Sequence, residues 1–300
     1  MKRPPPSNET VEAAFPGITN ASLFDTGGFK AVYSVEILGR KEALELVEIP
    51  ELNDPHEADI FRAEVTSRVR REVEALRICK VAEIVKLGTV PFQRVQLNGA
   101  EFLAYSEEFL DGKDLWNILI AAPALPGEKE LRRLSIALLN AIRELWGHGY
   151  VHRDIKPKNV MKLKAPNREF VLLDLGIAFA VNETALTANP SERIVATYRY
   201  LAPEMLNPNF RDTIDYRSDL YTAALTVFEY AAQAHPLAQD RDDLMQTISR
   251  ALRQPPTPLK SLRSDLSDEF CRTIDQLLKK KPALRPGNLN LLIETMRKEI

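Results

Sequence analysis

The sequence predicts an α+β protein in two parts, a smaller strand-rich half and a larger helical half. Three observations carry that expectation. Short runs with strand-like apolar patterning crowd the residues before about 110. Apolar residues at helical spacing dominate after the Asp111-Gly112 break. A chain of 300 residues is long enough for one large or two smaller domains with a sizeable core.

The first twenty residues carry four prolines and little periodicity, so 1–20 reads as a loosely ordered lead-in. Residues 21–110 form the smaller part. Val32, Val35 and Ile37 sit in a strand-like run, Gly39-Arg40 reads as a turn, and 43–49 reads as a second strand. Gly27-Gly28 precedes this hairpin. Val65, Val69, Val73 and Leu76 form an apolar stripe on an Arg- and Glu-rich helix over 59–79. Strand-like runs follow at 90–97 and 101–109. The larger part, 111–300, has an amphipathic helix over 128–148 stopped by Gly149, a small hairpin over 160–173, and helices near 215–234, 240–252, 267–279 and 288–299.

Composition narrows the function. Hydrophobic residues make up 45% and charged residues 27%, as in ordinary soluble globular proteins. Forty Lys+Arg against 42 Asp+Glu leave a net charge of −2, so no bulk nucleic-acid binding is expected. Cys79 and Cys271 lie far apart, which excludes a disulfide scaffold and suits a reducing, cytoplasmic compartment. No secretory signal is recognised at the start, and no apolar run approaches a membrane span. The longest apolar segment, 220–234, carries Glu229 and reads as a buried core helix.

One constellation carries chemistry: Tyr150-Val151-His152-Arg153-Asp154-Ile155-Lys156-Pro157-Lys158-Asn159, then Asp174-Leu175-Gly176, then Ala202-Pro203-Glu204. In order and spacing this resembles the eukaryotic-like (Hanks-type) protein kinases, whose set is an HRD catalytic loop, a DFG-like metal loop and an APE segment. The likeness runs over roughly residues 20–298. It implies a bilobal kinase fold, with a small β-rich lobe bearing one main helix and a large helical lobe. It also implies Mg²⁺-ATP, with Mn²⁺ as an alternative ion, and a protein substrate. The oligomeric state stays open.

The chemistry suits the residues. Phosphoryl transfer asks for positioning and charge neutralisation more than for covalent work. Asp154 would take the proton of the incoming hydroxyl, and Lys156 would place a cation at the transferred phosphoryl. Asn159 and Asp174 offer hard oxygen ligands for a small divalent metal. The Lys156-Pro157 pair is the serine/threonine-type arrangement. By the same likeness, Glu72 matches the helix glutamate that pairs with a strand lysine. Glu108 and Leu110 mark the hinge that meets adenine, with Gly27, Gly28, Val32, Ala43 and Met161 around the nucleotide and Asp114 at the ribose. Glu107 falls at the gatekeeper position. Asp219 matches the buried brace of the catalytic loop, and Arg285 the partner of Glu204. Thr184, Thr187 and Ser191 are candidate phosphate acceptors, since Arg153 is a ready partner for a regulatory phosphate. Thr197 resembles the threonine of the substrate loop.

Two departures complicate the likeness. Glu45 stands where the family places its strand lysine. Residues i and i+2 of a strand share a face, so Glu45 shares the face of Ala43 and points to the nucleotide. A carboxylate there repels phosphates by about 4 kcal/mol per charge pair at 4 Å and an effective dielectric of 20. The glycine loop reads Asp25-Thr26-Gly27-Gly28-Phe29-Lys30-Ala31-Val32, and Lys30 shares the face of Val32. This resembles the with-no-lysine kinases, which supply the phosphate lysine from that loop position. Three readings follow: a working kinase that uses Lys30, an introduced Lys→Glu inactivation, or a pseudokinase acting as a nucleotide-binding scaffold. Phosphorylation of a small molecule in a kinase-like fold is a fourth, disfavoured by the Ala202-Pro203-Glu204 segment.

Overall fold

In the computed structural model the described residues are 3–51, 54–122, 124–165, 167–175, 198–207, 214–239 and 241–298. The chain divides into two compact units, residues 1–78 with 85–110, and residues 79–84 with 111–300. The short segment 79–84 thus belongs to the larger unit although it lies between two stretches of the smaller one.

The smaller unit is built on β1 (Ile18–Thr26), β2 (Lys30–Ile37), β3 (Arg40–Ile49), β4 (Gln93–Leu97) and β5 (Ala100–Glu108). They form an antiparallel sheet in the order β1-β2-β3-β5-β4. Alternation along β2 is strict: Ala31, Tyr33, Val35 and Ile37 are buried, and Lys30, Val32, Ser34 and Glu36 lie on the other face. Two-residue turns link β2 to β3 and β4 to β5. Their central residues all have positive φ, 51° and 72° at Leu38-Gly39 and 51° and 76° at Asn98-Gly99. The first turn corrects the Gly39-Arg40 expectation by one residue, because Arg40 already pairs with Ile37.

The loose lead-in is also corrected. Residues Asn8–Ala14 form helix α1, capped by Ser7, whose Oγ accepts from the Thr10 amide at 3.2 Å. Val11 and Phe15 are buried in one cluster with Tyr33, Val35, Leu44 and Leu46 of the sheet. Burying a Val or Phe side chain contributes about 1.5–3 kcal/mol, enough to order a short helix that propensity alone would leave frayed. The Tyr33 hydroxyl donates to the Pro6 carbonyl at 2.5 Å, and burial pushes its pKa up to about 12. Helix α2 (Pro55–Ile78) buries Val69, Glu72, Ala75 and Leu76.

The larger unit starts with a small antiparallel sheet, β6 (Gly112–Asp114), β7 (Val160–Leu163) and β8 (Phe170–Leu172). Its helices are α3 (Leu115–Ile120), α4 (Glu128–Gly147), α5 (Tyr216–Ala232), α6 (Leu244–Arg253), α7 (Leu259–Leu262), α8 (Asp268–Leu277) and α9 (Leu289–Arg297). Helix α5 is the core helix expected from the apolar segment, with every side chain from Ser218 to Ala231 buried. Arg132 of α4 is fully buried and knits three helices. Its guanidinium donates to Glu128 at 2.8 Å, to the Thr295 carbonyl of α9 at 3.2 Å and to Ser267 Oγ, the cap of α8, at 3.3 Å. Both cysteines are buried thiols. Among the described residues no helix is long and apolar enough to cross a membrane.

Candidate active site

The larger unit gathers one set of predicted residues on the loop between α4 and β7. Asp219, at the start of α5, is buried beneath it. Its Oδ2 accepts from the His152 amide at 2.7 Å and its Oδ1 from the Arg153 amide at 2.8 Å. Burial pushes the Asp219 carboxyl up, against the lowering pull of His152, Arg153 and these two amides. His152 is fully buried. Its Nδ1 accepts from the Asp154 amide at 3.2 Å, which leaves Nε2 to donate to the Leu173 carbonyl at 3.2 Å. The Leu173 amide in turn donates to the Asn159 carbonyl at 2.8 Å. The loop is thereby tied to the segment that carries Asp174.

Asp154 sits within this frame. Lys156 Nζ lies 2.9 Å and 2.7 Å from its two carboxylate oxygens. Asn159 Nδ2 donates to Asp154 Oδ2 at 3.0 Å and to its carbonyl at 2.9 Å. With its amide nitrogen so engaged, Asn159 presents Oδ1 as the acceptor, a hard oxygen as a small divalent cation requires. Arg153 and Asp174 both have left-handed backbone, at φ 72° and 53°. Such conformations cost non-glycine residues about 1–3 kcal/mol, and here they sit on the catalytic-loop and metal-loop candidates.

Glu204 of the Ala202-Pro203-Glu204 segment meets Arg285. Arg285 forks onto Glu204 with contacts of 2.6 Å and 2.9 Å. Its remaining donors reach the carbonyls of Arg217, Lys279 and Lys280. Asp114 caps α3, its two oxygens accepting from the amide and side chain of Asn117 at 2.7 Å and 2.6 Å. Met161 is buried and pairs with Asp114 in the β6–β7 register. Thr184, Thr187, Ser191 and Thr197 lie outside the described residues.

The smaller unit gathers the rest. The Gly27 amide donates to the Lys30 carbonyl at 2.6 Å, closing the β1–β2 loop through Gly28. Val32 pairs with Glu45, Ala43 with Glu107, and Glu45 with Tyr105. Lys30 reaches diagonally across β2 and β3 to Glu45, Nζ to Oε2 2.8 Å. Glu45 and Glu107 are both buried. The Glu108 amide donates to the Lys86 carbonyl at 2.9 Å, and its carboxylate accepts from the Lys86 amide at 2.8 Å. Leu110 ends the unit, half-buried.

Other residues of interest were missed by the sequence reading. Lys41 lies over the Phe109 ring at 3.8 Å, and Phe24 meets the same ring edge-on at 5.6 Å. Lys41 is two residues before Ala43, so strand alternation could have found it. Glu42 was missed as well. It is buried and accepts from the Thr89 amide at 2.7 Å, from Ser106 Oγ at 2.6 Å and from the Thr89 hydroxyl. In the larger unit the Tyr200 hydroxyl donates to Glu229, and His235 Nε2 donates to the Arg199 carbonyl at 3.0 Å. Burial pushes the His235 ring down to about 3. No local sequence signal marks these contacts, because their partners are distant in the chain.

The protein kinase domain model matches residues 29–296. This chain belongs to the protein kinase family. Among curated relatives, a probable serine/threonine-protein kinase PknB of Bifidobacterium longum is 32% identical over 206 residues, covering 68% of this chain and 28% of that protein. The serine/threonine-protein kinase PknA of Mycobacterium tuberculosis is 27% identical over 266 residues, covering 88% of this chain and 56% of that protein. The chain thus spans less than two thirds of the length of either relative. Among solved structures, the PknI kinase domain of M. tuberculosis superposes with a TM-score of 0.64 at 24% identity, over 95% of this chain and 97% of that one. Rad53 residues 1–466 with AMP-PNP gives 0.67 at 21% identity, over 92% and 63%. The antiparallel sheet of the smaller unit and the helices of the larger one are the two lobes of the kinase fold.

Proposed function

We propose that this chain is an ATP-dependent serine/threonine protein kinase acting in the cytoplasm on protein hydroxyls, its own included. The observation that supports this most directly is the geometry around Asp154. Its carboxylate is held by Lys156 and Asn159, and the same loop is tied to the segment of Asp174. In this reading the Asp154 carboxylate takes the proton of the attacking Ser or Thr hydroxyl. The hydroxyl oxygen bonds to the γ-phosphorus as the bridging β–γ bond breaks, and ADP leaves with the electron pair. The Lys156 ammonium offsets charge on the phosphoryl group in transfer. Asn159 and Asp174 would hold Mg²⁺, which when bound neutralises phosphate charge. Two protein oxygens suffice because Mg²⁺ keeps phosphate and water ligands.

On the smaller unit, Lys30 is the cation for the nucleotide phosphates, and Val32 and Ala43 supply the apolar surface for adenine. The Phe24–Phe109 pair adds aromatic surface on the same sheet. Glu45 therefore does not mark a dead site in this reading. The test is transfer of label from γ-labelled ATP with Mg²⁺, comparing this chain with Asp154→Asn. Autophosphorylation that falls by about 10²-fold or more in the variant, with nucleotide binding retained, is expected. Equal label in both would remove Asp154 from the role. No label in the parent chain with nucleotide still bound would favour the scaffold reading.

A further inference from the structure

We infer that Glu45 is the positioning residue of Lys30: its buried carboxylate fixes the ammonium on the nucleotide-facing surface of the sheet. This rests on the reading of Lys30 as the phosphate cation.

The backbone sets up the pair. Gly27 and Lys30 close the loop at 2.6 Å, and the Glu48 amide of β3 binds the Phe29 carbonyl at 2.7 Å. The start of β2 is thus pinned on both sides. The register then places Val32 opposite Glu45 and Lys30 opposite Val47, so Lys30 and Glu45 are diagonal neighbours on one face. Their charged atoms meet at 2.8 Å. The two ends differ in exposure: the Glu45 side chain is 6% exposed and the Lys30 side chain 29%. A flexible four-carbon stem carrying a partly exposed ammonium meets a buried carboxylate at its tip.

Charge explains why the arrangement works. Glu45 alone would present a buried anion to incoming phosphates. Paired, the two side chains sum to zero, and an ammonium carries three donor hydrogens, so one group can serve both a carboxylate and a phosphate oxygen. A lysine side chain loses much rotamer freedom when fixed, and here the ion pair has fixed it before nucleotide arrives. One lysine–carboxylate couple, with its members on adjacent strands, then supplies what a lysine at position 45 would supply elsewhere.

The prediction is a reversal of sign between backgrounds. Four chains are compared with the parent: Glu45→Gln, Lys30→Met, the Lys30→Met/Glu45→Gln double variant, and the charge swap Lys30→Glu/Glu45→Lys. Each is checked by thermal unfolding. Initial autophosphorylation rates against ATP concentration give kcat/KM, and titration with a fluorescent ATP analogue gives Kd. We expect Glu45→Gln to lower kcat/KM about tenfold and Lys30→Met at least as much. In the Lys30→Met background, Glu45→Gln should be harmless or raise kcat/KM, because it removes a bare carboxylate from beside the phosphates. The swap should recover to within about tenfold of the parent. Glu45→Gln losses that are equal in both backgrounds would mean a merely structural role and overturn the inference. So would a Glu45→Gln variant as active as the parent. If the parent transfers no phosphate, the kinase reading fails by itself, and the same pattern sought in Kd still decides the pairing.

Discussion

The two units of this molecule depart from the family pattern to very different degrees. In the larger unit, Asp154, Lys156, Asn159, Asp174, Asp219 and Arg285 are the residue types that the family's motifs carry. In the smaller unit two glycine positions are filled by Asp25 and Lys30, and the strand lysine is Glu45. The contrast has a physical source. Asp219 holds two consecutive amides, and His152 links Asp154 to Leu173. Each group in that network has one geometry that satisfies all its partners, so a single replacement leaves a buried donor or acceptor unpaired. A strand face is more permissive. It needs a cation within reach of a point in space, and two adjacent strands can each supply one. Rigid hydrogen-bonded loops therefore keep residue identity, and a sheet face can exchange it.

The largest expected stability effect tests the interlocked side. Arg285→Ala leaves Glu204 in a partly buried site without its fork and removes donors to three carbonyls. Breaking such a pair costs about 3–5 kcal/mol. A fall in thermal midpoint of about 10 °C is expected. A shift under about 2 °C would show that the larger unit tolerates exchange as readily as the strand face.

Next comes the smaller unit. Gly88 passes so close to Glu42 that an added Cβ would collide with its Oε2 and lie 2.5 Å from Ser106 Oγ. Gly88→Ala forces the buried carboxylate off its three donors and should cost about 1–3 kcal/mol. Denaturant melts read it. A neutral result would extend the permissiveness of the sheet face to its buried edge.

Acid sharpens the comparison further. Burial works to raise the Glu42 carboxyl, but bonds from Ser106 and Thr89 hold it below the usual range. In the larger unit burial likewise opposes the bonds from Lys162 and Tyr230 that hold Glu130 low. A depressed folded value means stability that is fully present above the unfolded glutamate range, near 4.3, and is lost as pH falls through the folded value. Thermal midpoints followed from pH 6 to 3 should fall. The fall should be shallower in Glu42→Gln and Glu130→Gln than in the parent. An unchanged slope in either would show that its bonds do not favour the charged form. The smallest effect is at the surface. Lys164 and Asp111 pair at 2.9 Å, but their side chains are 78% and 75% exposed. Asp111→Asn should change stability by less than ~0.5 kcal/mol, and a larger loss would mean that surface pairs also brace the larger unit.

Much of this was legible in the chain. Periodicity placed the β2–β3 hairpin, α2, α4 and α5, because apolar spacing reports the buried face directly. The candidate catalytic loop was legible through its resemblance to the family's motif, whose residues Asp154, Lys156 and Asn159 lie close together in sequence. Helix α1 was not. Four prolines masked a segment whose order comes from Val11 and Phe15 docking on distant strands. The role of Asp114 as a helix cap was hidden by its match to a ribose position.

What the sequence alone determined is local: the type of β2, β3, α2, α4 and α5, the match of residues 150–159 to the family's loop motif, and the facing of Lys30 and Glu45 by the period of two. What only the tertiary structure decided is non-local: that β2 and β3 pair in the register that brings Lys30 to 2.8 Å from Glu45, that Glu42 has three donors from two other segments, and that Arg132 ties three helices. Spacing along one strand is fixed by covalent geometry. Register between strands and contacts between helices are set by the burial of all elements at once, which no short stretch of sequence contains.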